Sequence, residues 1–384
     1  MAMSEALINK HILQWAIDRA GIGTDDLSKK YAKIEEWVNG DKKPTFNQAQ
    51  DLAKILQIPF GYLYLKNPPE EKLPIPDLRT FVNTRHQISP TFITLLNDIS
   101  RKQAWYKEYA IMNEHLKIDC IGKFNIDDDF KQVAQDIANK INFSTISRNR
   151  NNILKDSIER VEDIGILVMK NSVLGSNTHK KLDMNEFRGF AMYDEYAPLI
   201  FINAGDSKNA QLFTLFHELT HLWINESGIS GSSLNNIENM HKTELFCNKV
   251  AAEILMPEDD FKTEFSSGTN IDETINNLEN HFCVSKFAII NKIYNLGLIE
   301  KNIYDELYSK AKNDYINFMN NNANEKQNGG GNPYFTMRTR VGKRFSNAVF
   351  YSTMEGVTLH RDAGYLLDIN PAKIYKYANE LGIH

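Results

Sequence analysis

The chain of 384 residues carries 44 Lys and Arg against 49 Asp and Glu, a formal charge of −5, with 42% hydrophobic and 24% charged residues. That is ordinary globular composition with room for two or three domains, and it gives no general attraction to nucleic acid, so any such contact must come from a local patch. No run approaches eighteen apolar residues, the N-terminal stretch lacks a signal-type apolar core, and the three cysteines (Cys120, Cys247, Cys283) are odd in number and far apart; a soluble cytoplasmic protein without a membrane segment or disulfide scaffold is expected.

Residues 1–66 read as short helices over 8–20, 25–31, 32–39 and 47–56. The strings KIEEWVNGDKKP and QAQDLAKILQIPFGYLYL resemble the end of a Cro/repressor-type helix-turn-helix domain, whose third helix would enter the DNA major groove. Here, though, only SKKYAKIEE separates Leu27 from Trp37, so the reading helix is expected to be short, and it carries Glu35 and Glu36, which phosphates repel. Residues 1–66 hold nine basic and eight acidic side chains, a net of +1 and far from the basic stripe of a DNA reader. We therefore read a helix-turn-helix-like domain that is a protein-docking or vestigial module, with DNA as a weakly supported partner.

Residues 67–80 contain Pro68, Pro69, Pro74 and Pro76, which prevent a helix and predict a linker of defined shape. A helical connector is expected over 81–145, with helical periodicity at 90–116 and 127–142 and Trp105 and Tyr106 as core contacts. The next region, 146–260, begins with a helix over 151–161 and strand candidates at 165–170, 187–193 and 198–203, with Asp194 to Tyr196 as a turn. Strands placed before a metal-binding helix commonly form a wall on which a peptide pairs by its backbone. Asp206 and Ser207 offer an N-cap for the helix that follows; Asp206 or Asp194 is alternatively available to orient a metal-bound imidazole.

That helix contains His217-Glu218-Leu219-Thr220-His221. Four positions apart on a helix, the two imidazoles share a face and can grip one metal ion, with Glu218 a third of a turn aside. This HExxH arrangement suits zinc hydrolysis: neutral imidazoles hold Zn²⁺ without cancelling its charge, and a carboxylate beside an open coordination position serves as general base. Phe213, Phe216, Leu219, Thr220 and Trp223 continue an uninterrupted stripe at helical spacing, so the helix is expected to be buried. The rival reading is two surface histidines on an ordinary helix, and a third ligand decides between them. A Glu from a second helix some twenty or more residues on would complete a His₂Glu site. Glu244, 23 residues after His221, is the first choice, with Asn248 one turn further on the same face; Glu253, His241 and Cys247 are the alternatives. For an oxyanion-stabilising donor, Arg188, Tyr193 and His241 are candidates by side-chain chemistry alone.

Together, FTLFHELTHLW and TELFCNKVAAEILMP resemble the paired signatures of the ImmA/IrrE family of metallopeptidases. The resemblance implies a zincin-like core, places the third zinc ligand on Glu244, and implies a protein substrate of the transcriptional repressor or antitoxin class, cleaved in mobile-element or stress regulation. Cys247, Val250 and Ile254 depart from the family's second motif, but all are apolar and none is at the ligand position.

Between the metal helices, residues 224–240 are rich in Ser, Gly and Asn and read as a flexible loop. A helical module is expected over 261–318, with helices at 272–281, 285–296 and 302–313, then a polar, glycine-rich linker over 319–333. The extension 334–384 carries seven basic and four acidic side chains, with helices near 348–354, 360–367 and 371–381 and a turn-rich or helical stretch holding Arg338, Arg340, Lys343 and Arg344.

The expected fold class is α+β and mostly helical: a helix-turn-helix-like domain, a metallopeptidase core with a small mixed sheet, and a helical C-terminal region. Function is read as a zinc-dependent endopeptidase with His217, His221 and Glu244 as ligands and Glu218 as base. The alternative is a DNA-binding regulator or antitoxin-like interaction protein with a structural or weakly active zinc site, which leaves Glu218 without a use. Oligomeric state and cleaved bond are not legible in the chain.

Overall fold

The computed structural model describes residues 5–69, 88–224, 228–230, 242–265, 270–322 and 333–383. Most of the proline-rich segment, His241, most of the loop expected over 224–240 and most of the linker at 319–333 lie outside the described residues. The chain divides into two compact units, Met1–Arg101 and Lys102–His384. The fold is mostly helical with a small mixed sheet, an α+β arrangement.

The first unit contains α1 (Lys10–Ala20), α2 (Thr24–Ser28), α3 (Ile34–Asn39), α4 (Phe46–Ile55) and a 3-10 turn at Phe60–Tyr64. Asn9 caps α1 by accepting from the His11 amide, and Thr45 with Gln48 forms a reciprocal capping box on α4. These caps offset the unfavourable nucleation of short helices, while Leu13, Ile17, Leu27, Ile34, Trp37 and Leu52 bury their apolar faces together. The helix bearing Glu35 and Glu36 has only six residues, and Glu36 is paired with Lys42 at 2.6 Å. The chain passes from the first unit to the second within α5 (Pro90–Met112).

In the second unit α6 (Phe130–Lys140) and α7 (Ile153–Asp163) precede β1 (Leu167–Asn171), β2 (Val173–Leu174), β3 (Asn177–Lys181), β4 (Gly189–Met192) and β5 (Leu199–Asn203). Then come α8 (Lys208–Trp223), β6 (Gly228–Ser230), α9 (Lys242–Leu255) and α10 (Glu258–Phe265). The main sheet has the order β1-β5-β4-β6. β1 and β5 run parallel, in register from Leu167 opposite Leu199 to Asn171 opposite Asn203; β4 is antiparallel to β5 and β6 antiparallel to β4. All of β4 and β5 is buried, which is why both read as unbroken apolar runs rather than alternating ones.

Two features depart from the sequence expectation. β2 and β3 form a separate hairpin whose second strand, NTHKK, is largely exposed and carries no apolar alternation. The segment expected as a plain loop contains β6, held by pairing Gly189 with Ser230 and Ala191 with Gly228, so the register of β4 supplies the order that local sequence does not.

Helices α11 (Ile271–Phe282), α12 (Lys286–Asn295) and α13 (Lys301–Asn322) follow, the last extending beyond the helix expected at 302–313. The C-terminal residues form α14 (Pro333–Val341), α15 (Lys343–Met354), α16 (His360–Leu367), a 3-10 turn at Pro371–Lys373 and α17 (Ile374–Glu380). α14 packs against β1, an edge of the main sheet. Gly342 makes this approach feasible: its φ is +85°, and a Cβ there would sit 2.6 Å from the Val168 carbonyl oxygen and 2.9 Å from Glu162 Oε1.

Candidate metal centre

The helix α8 begins at Ser207, whose hydroxyl accepts from the Ala210 amide at 3.3 Å. Asp206 instead accepts from Arg188 at 2.8 Å. From Gln211 to Trp223 every residue except Phe213 is buried. The cause is enclosure: β4 and β5 lie on one side of α8, and α6, α7 and α9 pack against it elsewhere. Its C-terminal carbonyls are met from a distant part of the chain. The amides of Gly122 and Phe124 donate to Leu222 and Trp223 oxygens at 2.9 and 3.0 Å, and the Trp223 indole donates to Asp136 at 2.9 Å. The orphan groups of a helix end are thereby satisfied one turn from His221.

His217 and His221 lie one turn apart, with their Nε2 atoms at 3.1 Å. α9 brings Glu244 to both: its Oε2 is 3.1 Å from His217 Nε2 and its Oε1 is 3.3 Å from His221 Nε2. One ligand atom from each of the three residues lies within 4.8 Å of the others, making this a grouping able to hold a metal ion among the described residues. The donor chemistry fits zinc: two imidazole nitrogens and one carboxylate oxygen, with both histidines buried and Glu244 partly exposed. Burial works against a charged His217, but the hydrogen bond and charge of Glu244 outweigh it and raise its pKa. Burial likewise pushes Glu244 up, yet hydrogen bonds and charge from His217 and His221 hold it well below the usual carboxylate range. The polarity is that of nitrogen bases and an ionised carboxylate gathered around one point.

Glu218 is fully buried on the same helix, and strand β4 passes close to its carboxylate. At Gly189 a Cβ would meet Thr214 Cγ2 at 2.5 Å, the Phe201 carbonyl oxygen at 2.9 Å and Glu218 Oε1 at 3.2 Å. The missing side chain at 189 thus allows sheet and helix to close on the carboxylate.

Of the alternatives named from sequence, Glu253, Cys247 and Asp194 are placed elsewhere, and His241 lies outside the described residues. Glu253 pairs with Lys292 at 2.7 Å and accepts from the Glu258 amide, so it ties α9 to its neighbours. Cys247 is buried and belongs to the hydrophobic core. Asp194 holds Lys107 and the amides of Tyr196 and Ala197, which is turn duty. The ring nitrogen His217 Nδ1 meets Asn248 Oδ1 at 3.0 Å, and neither aspartate fills that role. His221 Nδ1 has no hydrogen-bond partner among the described residues. Arg188 pairs through Nη1 with Asp206 at 2.8 Å. Sequence reasoning missed Gly189 entirely and saw Asn248 only as a neighbour of Glu244 on one helix face; the i, i+4 spacing of Glu244 and Asn248 was the available signal.

A mostly helical α+β unit carrying this grouping is consistent with a metallopeptidase-like fold. Residues 161–294, which contain the main sheet, α8 and α9, match the family model of the IrrE N-terminal-like domain, an M78 peptidase family. Residues 341–380 match a domain of unknown function (DUF8813). No curated protein matches the chain. The first match supports a metallopeptidase of the ImmA/IrrE type over that stretch. No described helix is long and apolar enough to cross a membrane.

Proposed function

We propose that this chain is a cytoplasmic zinc-dependent endopeptidase that cuts a specific protein, of the transcriptional repressor or antitoxin class. The observation that carries the reading is the convergence of His217, His221 and Glu244 from two helices, with Glu218 buried beside them. In the proposed site these three residues hold Zn²⁺, which when bound polarises the scissile carbonyl and acidifies water. Glu218 takes a proton from the attacking water on its carboxylate and returns it to the leaving amine nitrogen. Within the main sheet β6 pairs with β4 alone among the described residues, and its other edge suits an extended substrate backbone. The substrate class comes from the resemblance to ImmA/IrrE, and the nearly neutral N-terminal unit suits docking of a protein better than reading of DNA. Buried Cys120, Cys247 and Cys283, which form no disulfide with one another, suit a reducing compartment.

The test is Glu218→Gln in the full chain. The variant should retain fold and stoichiometric zinc, retain its protein substrate on pull-down, and lose cleavage of that substrate by about 10²–10⁴-fold. Cleavage at the wild-type rate by the variant, or purified wild type that neither contains nor takes up a divalent metal, refutes the enzyme reading.

A further inference from the structure

We infer that the cavity enclosed by α11, α12 and α13 binds a small zwitterion with an aliphatic tail, the chemistry of a free, leucine-like α-amino acid. The inference uses none of the proposed metal ligands and does not rest on the metal reading. The cavity has a volume of about 170 Å³, below the roughly 300–1,000 Å³ of sites for drug-sized ligands and the bulk of about five or six waters. Its occupant is therefore small.

Helical periodicity decides which side chains reach the cavity. Asp272 and Ile275 on α11, Lys286 and Ile290 on α12, and Leu307, Ala311 and Asp314 on α13 stand three or four positions apart, so each helix turns one face inward. α12 and α13 run antiparallel, because Tyr304 Oη donates to Asn291 Oδ1 at 2.9 Å and the Phe287 and Tyr308 rings lie 5.2 Å apart. That register sets Lys286 and Asp314 toward the same end of the cavity and places Ile290 and Leu307 a turn deeper. Ile275, Ile290, Leu307 and Ala311 are buried and make the floor aliphatic. A charged mouth over such a floor selects an amphiphile.

The charges at the mouth narrow its class. Lys310 and Asp272 pair with each other at 2.8 Å. Lys286 and Asp314 form no salt bridge among the described residues, and both line the cavity. A lone carboxylate suited to Lys286 would meet Asp314 as a like charge, and a lone ammonium suited to Asp314 would meet Lys286. A carboxylate and an ammonium on one carbon satisfy both, while a branched tail displaces water from the floor. A peptide terminus carries only one of the two charges, so the free amino acid fits better.

The experiment titrates the purified full chain with L-leucine by isothermal calorimetry. The controls are 4-methylpentanoate, which lacks the ammonium, 3-methylbutylamine, which lacks the carboxylate, and glycine, which lacks the tail. Leucine should bind saturably at one site, and each control should bind about tenfold more weakly or worse. Lys286→Ala and Asp314→Ala should each weaken leucine binding about tenfold or more, and Ala311→Phe, which fills the floor, should abolish it. Absence of saturable binding at ~10 mM leucine overturns the proposal. So does a control that binds as tightly as leucine, or an affinity unchanged by Ala311→Phe. Should Ala311→Phe fail to fold, Lys286→Ala and Asp314→Ala decide, and unchanged affinity in either overturns the site. Zinc uptake by all three variants should match that of wild type, so this proposal and the metal reading fail separately.

Discussion

Residues such as Gly189 act through what they lack. A methyl group there would overlap Thr214 and the Phe201 carbonyl oxygen and crowd Glu218, and relief requires β4 or α8 to shift. Gly189→Ala is expected to destabilise the chain by about 1–3 kcal/mol, measured by denaturant unfolding. If the proposed function holds, it should also lower peptidase turnover more than it lowers zinc content, because the displaced Glu218 is the proposed base and not a proposed ligand. Equal stability and turnover in the variant would remove this role from Gly189. The contrast with the proposed metal ligands shows what a sequence exposes. His217, Glu218 and His221 are legible because their relation is local, a fixed spacing on one helix, and Glu244 because a second helix at suitable distance offers one well-placed carboxylate. Gly189 and Asn248 matter only through neighbours on other elements, 29 residues from Glu218 and 31 from His217 along the chain, and no local periodicity encodes such contacts.

At the scale of elements, the same physics separates what was readable from what was not. Helices α6 to α9 and strands β1, β4 and β5 follow from apolar runs and caps, while the polar β3 and the three-residue β6 depend on partners. The link between α7 and α15 is another contact of this kind. Glu162 Oε1 accepts from the Arg344 amide at 2.9 Å, and the Arg344 side chain donates to Tyr106 Oη at 2.7 Å and to the Glu162 carbonyl at 3.1 Å. Burial pushes the Glu162 carboxyl from 4.5 up to about 7. Since its folded pKa lies above its unfolded one, the folded state favours the protonated acid. Stability is greatest below about pH 4.5 as far as this group is concerned, and is lost as pH rises toward 7, by a total on the order of 3 kcal/mol. Glu162→Gln keeps an acceptor and removes the titration. The variant should gain stability over wild type between pH 5 and pH 8 in urea unfolding, and a pH-independent difference would show that Glu162 is ionised throughout.

Over the whole molecule, the stretch that matches a peptidase family, residues 161–294, is shorter than the structure that makes its centre rigid. The strand β1 is covered by α14, which lies beyond the match, and α8 is tied at its C-terminal end by Gly122, Phe124 and Asp136, which lie before it. An excised 161–294 fragment would therefore leave the end of α8 frayed beside His221. Its hydrogen-exchange protection over residues 217–223 should fall well below that of a longer piece beginning before Cys120; equal protection in the two would show that the upstream ties are dispensable. The practical boundary of an autonomous body around this centre is thus set by where a helix finds its last hydrogen-bond donors, some forty residues upstream of where family similarity starts.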